Sequence, residues 1–379
     1  MNPLRRLAAL GQSVYLDAIS RPMIEGGDLR RLIEEDDLQG VTSNPAIFEK
    51  AIAQSADYDD AIAELAGRGM PSAEIFETLA VEDIRAAADL FAASHQASDG
   101  QHGYVSLEVS PLLADDTDGT IAEARRLWRA LDRANVFVKV PGTKAGLPAV
   151  RRLTALGINV NVTLLFGLPR YQAVAEAYIA GLEDRLAAGE SVSGVASVAS
   201  FFLSRIDVLI DPRLDELVRA GGDRGERAAA LRGTAAIASA KRAFVIYTSL
   251  FGGDRFAPLA AAGARPQRLL WASTGVKDPA YHDLAYVEPL IGADTVTTLP
   301  QETLDAYRDH GDPRPRLTDE LDEAEAKLRA LGELGIDLDA ATVALEREGV
   351  EKFVTPFESL MQAIDEARER TGTSAEGRR

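Results

Sequence analysis

Short apolar runs rich in β-branched residues recur along the chain, and polar residues interrupt them on one parity. The runs are 13–20 "SVYLDAIS", 40–44 "GVTSN", 104–110 "YVSLEVS", 136–142 "VFVKVPG", 158–166 "INVNVTLLF", 194–202 "GVASVASFF", 268–274 "RLLWAST" and 294–300 "DTVTTLP". Each has the length and composition of a strand. Between them apolar positions repeat at close to 3.6 residues, as in "TIAEARRLWRALDRAN" and "PRYQAVAEAYIAGLEDRLAAG", the spacing of a helix that buries one face. Three helical patterns fill 45–103 and several more fill 203–267. Eight strands separated by helices predict a (β/α)8 TIM barrel, with a doubly wound open parallel sheet as the rival.

Beyond residue 310 the pattern changes. "DPRPRLTDE" reads as a loop, and 319–332, 338–348 and 350–371 read as helices, with Thr355-Pro356 restarting the last. "TGTSAEGRR" reads as a frayed end. No Gly/Ser-rich or Pro-rich linker divides the core. The expected organisation is therefore a catalytic barrel over 1–310 and a C-terminal helical extension over 311–379 that packs on it.

Within the strands, Asp17 shares a parity with Tyr15, Thr42 with Asn44, Ser106 with Glu108, and Lys139 with Phe137, while Asn159, Asn161 and Thr163 share another. The opposite parity holds Leu16, Val41, Val105, Leu107, Val138, Val140, Val160 and Val162. In a barrel the apolar set meets the surrounding helices and the polar set faces the interior. Polar groups near the strands' C-terminal ends then converge on the face where such barrels do chemistry.

Composition narrows the classes. The chain has 379 residues, 46% hydrophobic, enough for a large core. There is no cysteine, which removes disulfides, thiolate metal sites and thiol nucleophiles. A net charge of −18 argues against broad binding to nucleic acid or anionic membranes. No apolar stretch reaches the ~18–20 residues of a membrane span, and "MNPLRRLAALGQS" lacks a signal-peptide core, so a cytoplasmic protein is expected. The four histidines, His95, His102, His282 and His310, are scattered without metal-ligand spacing, so no metal is expected. "GGDRG" at 221–225 reads as a loop between helices, since no strand precedes it. A homo-oligomer is compatible with such a barrel, but no exposed apolar stripe marks an interface.

Three ionisable groups fall on the interior parity: Asp17, Glu108 and Lys139. They read either as a buried salt-bridge cluster or as a catalytic set. Only seven of the 41 basic residues are lysines, and arginine is the better partner for a buried carboxylate. A lysine in a desolvated pocket can lose its proton and attack a carbonyl, forming a Schiff base. Two carboxylates can then divide the proton transfers that imine formation and carbon–carbon cleavage require.

At these residues the sequence resembles the transaldolases, of the longer bacterial type. "VTSNPAIF", "VFVKVPGT", "GINVNVTLLF", "SFFLSRID", "WASTGVKDPAY" and "DTVTTLP" are similar to that family's motifs in order and spacing. The resemblance implies a circularly permuted class I aldolase barrel that moves a dihydroxyacetone unit between sugar phosphates without metal or organic cofactor. By the same resemblance Lys139 is the Schiff-base lysine. Glu108 shuttles protons through a water that Thr163 positions, and Asp17 takes the proton from the C4 hydroxyl. Asn44 and Asn161 bond the dihydroxyacetone hydroxyls. Ser200 and Arg205 bind phosphate, and Lys277 stands where shorter members carry a second arginine, with Ser273 supporting it. The related fructose 6-phosphate aldolases carry glutamine where Glu108 stands and tyrosine where Phe202 stands. That aldolase activity and a noncatalytic sugar-phosphate-binding barrel are the alternatives.

Overall fold

The computed structural model describes residues 2–53 and 55–376. Eight strands pair in chain order as a closed parallel barrel: β1 (Gln12–Leu16), β2 (Gly40–Val41), β3 (Tyr104–Glu108), β4 (Val136–Pro141), β5 (Val160–Leu165), β6 (Ser197–Phe202), β7 (Arg268–Ala272) and β8 (Thr295–Leu299). Closure is made by β1 against β8, in register from Gln12–Thr295 to Leu16–Leu299. An open doubly wound sheet would leave those two edges unpaired, so the barrel expectation holds over its rival. Every residue of β4, β5 and β6 is buried. Parallel strands covered by helices outside and by packed side chains inside have this property.

Two residues at strand ends leave ordinary backbone space. Leu164 (φ +62°) and Ser273 (φ +55°) adopt left-handed conformations that cost a residue with a Cβ some strain. At Leu164 the pairing of β5 with β6 slips between Val162 and Leu165, a bulge that bends the strand just past Thr163.

The connection after β2 holds three helices, Pro45–Ala53, Asp59–Gly67 and Ser72–Ala97. The one after β6 holds Ser204–Ala220, Gly222–Ala229, Ala235–Phe251 and Ala257–Ala261. "GGDRG" is therefore not a loop throughout: Gly221 (φ +73°) makes the turn and Gly222 opens the next helix.

Past β8, the helix expected near 319–332 is Leu321–Glu333. The pair expected at 338–348 and 350–371 is a single helix, Leu338–Glu376, and Pro356 does not restart it. The segment read as frayed is helical to Glu376, while 377–379 lie outside the described residues. An interior proline costs a helix about 3 kcal/mol, and packing on both sides of Pro356 offsets that. Phe353, Leu360 and Ile364 are buried. Phe357 meets Phe76 edge-on, and Phe76 meets Phe48 likewise, with ring centroids 5.9 and 5.5 Å apart. Glu346 accepts two hydrogen bonds from Arg170 (2.8 and 3.2 Å), and Ser72 donates to Asp365, so the helix is tied down at two points. At Gly349 a Cβ would lie 3.1 Å from Leu164 Cδ2 and 3.3 Å from Phe166 Cε2. Glycine there lets the helix rest on the β5 bulge and cross the C-terminal mouth of the barrel.

Candidate active site

The mouth holds a cavity of about 190 Å³ lined by Asp17, Thr42, Asn44, Lys139, Thr163, Ser200, Phe202, Arg205, Ser273, Lys277, Thr298 and Phe353, among others. Most come from the strand parity that the sequence assigned to the interior, at or just past the strands' C-terminal ends. Strand register sets the centre. Lys139 on β4 pairs with Glu108 on β3 and with Asn161 on β5. Its side chain is 5% exposed, and Nζ donates to the Ser43 carbonyl at 2.9 Å and lies 3.4 Å from Glu108 Oε2.

Glu108 is as deeply buried, at 3% side-chain exposure. It lines not the cavity above but an adjoining apolar one of about 270 Å³, with Phe48, Phe76, Leu107 and Phe357. Loss of solvation raises its pKa to about 7; the Lys139 charge pulls it back and the Asp17 carboxylate adds to the rise. The Lys139 contact has ion-pair distance without hydrogen-bond alignment: among the described residues neither Glu108 oxygen has a hydrogen-bond partner, and neither does Thr163 Oγ1. Buried oxygens in that condition are suited to accept or relay a proton through water.

Asp17 ends β1. Its Oδ1 accepts from Thr42 Oγ1 at 2.6 Å, and Thr42 Oγ1 lies 2.7 Å from Thr298 Oγ1, so two neighbouring strands fix this carboxylate. Asn161 donates to Ser106 Oγ (3.2 Å) and accepts from Ser200 Oγ (2.7 Å), which orients its amide. Asn44 Oδ1 accepts from the Ile47 amide (3.0 Å) at the start of helix Pro45–Ala53.

A cationic end faces this set. Arg205 is the second residue of the helix after β6, and its guanidinium lies 5.5 Å from the centre of the Phe202 ring. Its Nη1 is buried without a partner among the described residues, and burial pushes its pKa below the ordinary value. The Glu348 and Asp17 carboxylates act on it only from beyond salt-bridge distance among the described residues, which leaves a buried donor free to take an anion. Ser273 Oγ lies 2.8 Å from Ser204 Oγ, clasping the start of the same helix. Lys277 is exposed at the cavity edge. Its loop is tied to that helix by Tyr281 donating to Asp211 (2.6 Å) and Tyr286 donating to Asp207 (3.0 Å).

All ten residues singled out in the sequence lie in or around this centre, and two of them are engaged by neighbouring side chains. Ser200 spends its hydroxyl proton on Asn161, and Ser273 reaches Ser204. The sequence reading passed over the Ser43 carbonyl, Thr298 and Phe353. A backbone carbonyl leaves no trace in residue type, while Thr298 sat unremarked in "DTVTTLP". The structure also gathers what the sequence scattered: His282, Asp283 and His310 bring ligand atoms within 4.8 Å of one another on an exposed surface. His310 Nε2 lies 3.2 Å from Asp283 Oδ1, and none of the three lines the cavity.

Residues 14–364 match the family described as transaldolase/fructose-6-phosphate aldolase. The chain is 49% identical over 364 residues to the transaldolase of Thiobacillus denitrificans, covering 96% of this chain and all of that protein. It is 47% identical to transaldolase 1 of Streptomyces coelicolor (98% and 97% covered) and 48% identical to the transaldolase of Saccharopolyspora erythraea (96% and 97%). With its closed barrel, buried lysine and cationic mouth, the chain belongs to the transaldolase/fructose-6-phosphate aldolase family.

Proposed function

We propose that the protein is a transaldolase that moves a dihydroxyacetone unit from sedoheptulose 7-phosphate to glyceraldehyde 3-phosphate through an imine on Lys139, giving erythrose 4-phosphate and fructose 6-phosphate. The observation that carries this reading is a buried amine 3.4 Å from a buried carboxylate whose pKa is raised to about 7.

Lys139 Nζ attacks the ketose C2 carbonyl to give a carbinolamine. Its hydroxyl leaves as water, protonated by Glu108 through a water that Thr163 holds, and an iminium results. Asp17 takes the proton from the C4 hydroxyl. The C3–C4 bond breaks, the aldose phosphate leaves, and the bonding pair flows into the iminium as an enamine. Enamine C3 then attacks the acceptor aldehyde, whose oxygen takes the proton from Asp17. Water adds back to the iminium and frees the new ketose. Electrons stay within the carbon–nitrogen frame, so the steps balance without an oxidant, reductant or Lewis acid. Asn44 and Asn161 hold the hydroxyls of the three-carbon unit, and Arg205 and Lys277 hold the phosphate. The barrel 1–310 and the extension 311–379 act as one unit on this reading, because Phe353 of the extension lines the cavity. The protein then serves the non-oxidative pentose phosphate pathway in the cytoplasm; no helix among the described residues is long and apolar enough to cross a membrane.

Borohydride reduction with fructose 6-phosphate, followed by product analysis with and without erythrose 4-phosphate, tests this. An adduct on Lys139 with acceptor-dependent turnover supports transfer. An adduct with acceptor-independent release of dihydroxyacetone supports an aldolase, and no adduct on a lysine leaves a binding barrel.

The phosphate end has its own expected result. Charge-assisted hydrogen bonds contribute roughly 1.5–3 kcal/mol each, so Arg205→Ala should raise KM for fructose 6-phosphate by about tenfold or more. Trapping of unphosphorylated dihydroxyacetone on Lys139 should change little. Lys277→Ala, at a more exposed position, should show the same split more mildly. Equal losses for both ligands would mean that Arg205 holds the structure rather than the phosphate.

A further inference from the structure

We infer that Phe353 is a further residue of the catalytic centre: its ring stabilises the cationic imine on Lys139 and keeps bulk water from it, which commits the three-carbon unit to an aldehyde acceptor instead of release as free dihydroxyacetone. The inference rests on the imine chemistry proposed above.

Lys139 Nζ lies 5.5 Å from the centre of the Phe353 ring. Phe353 is 4% exposed and lines the same cavity as Asp17, Thr163 and Arg205. Other groups close in on Nζ from elsewhere, the Ser43 carbonyl and Glu108. Several features deliver this one ring to the mouth. Gly349, one turn earlier, seats the helix on Leu164 and Phe166, and Glu346 is held by Arg170. Phe357, one turn later, packs on Phe76 and lines the adjoining apolar cavity instead.

The face of an aromatic ring carries negative potential and attracts a cation within about 6 Å, more strongly where water is excluded. The imine is a cation before cleavage and neutral as the enamine afterwards. Free dihydroxyacetone forms only if a proton is delivered to enamine C3, restoring the iminium, and water then adds at C2. The water that adds at C2 serves both products, so the discrimination lies at C3: an apolar ring at the mouth occupies space from which bulk water would bring that proton. Leucine at this position would fill most of the space without offering a ring face, which separates the two contributions.

The test uses the full chain and two variants, with fructose 6-phosphate as donor. In Phe353→Leu the fraction trapped by borohydride on Lys139 at subsaturating donor should fall about three- to thirtyfold, the range of a cation–π contact. The ratio of free dihydroxyacetone to transfer product should stay near the parental value. In Phe353→Ala that ratio should rise severalfold as well. Parental trapping in the leucine variant overturns the inference, and so does a parental ratio in an alanine variant with an unchanged melting profile. If the alanine variant fails to fold, the leucine variant alone decides. Absence of a Lys139 adduct in the parental protein would sink the imine reading itself; an adduct with parental behaviour in both variants sinks only the role of Phe353.

Discussion

Lys139→Arg is expected to abolish transfer and leave the barrel folded. Arginine keeps the positive charge beside Glu108 and can still donate to the Ser43 carbonyl, so the buried carboxylate retains a cation. A guanidinium holds its proton too tightly to attack a carbonyl, so it cannot form an imine. Sugar phosphates should still bind, because Arg205 and Lys277 are untouched, which gives a protein that binds substrate without turning it over. Transfer assays, borohydride trapping and thermal melting check the three parts. Near-parental turnover, or a reduced adduct mapped to the exposed Lys144 instead, would falsify the assignment.

Glu108→Gln should lower transfer by about 10²–10⁴-fold, the usual worth of a general acid–base group. Glutamine keeps the shape but can neither give up nor accept the proton that imine formation and hydrolysis pass through water. With a pKa of about 7, Glu108 is half-protonated near neutrality and can both donate and accept. The parental pH–rate profile should therefore have a limb near pH 7 that the variant lacks. Stability offers a second readout. The folded-state pKa is raised above the ordinary 4.5, so the favourable contribution of Glu108 is complete below about pH 4.5 and is lost as pH rises through 7. The variant's stability relative to the parent should accordingly increase between pH 5 and pH 8. The slope is the measurement to make, because exchanging the carboxyl for an amide also changes the contact with Lys139 by an offset that the slope does not contain. A flat difference across that window would contradict a buried Glu108 that titrates near 7.

Much of this centre was legible in the chain because strands leave side chains two choices of face. Once Val138 and Val140 point outward, Lys139 must point in, and the same rule brings Glu108, Asn161 and Thr163 to it. Eight strands separated by helices favoured a barrel over an open doubly wound sheet, and the pairing of β1 with β8 decided between them. What stayed hidden depended on packing between distant segments. Pro356 reads locally as an interruption, and packing on either side of it, with Phe353 and Leu360 buried, keeps one helix intact. The Phe353 ring near Lys139, the Ser200 proton on Asn161 and the meeting of His282 with His310 belong to the same class, because no periodicity encodes where a helix or loop docks.

The placement of Lys139 and its aromatic cover on one chain also sets an order in time. Lys139 precedes Phe353 by more than half of the sequence. A ribosome therefore releases the reactive lysine, and then all eight strands around it, before it has made the helix that crosses the mouth. Until that helix docks, the Lys139 amine lacks the Phe353 ring beside it. Of the residues that line the cavity, Phe353 is the last to be added to the growing chain, so the centre is complete only once the crossing helix has been made.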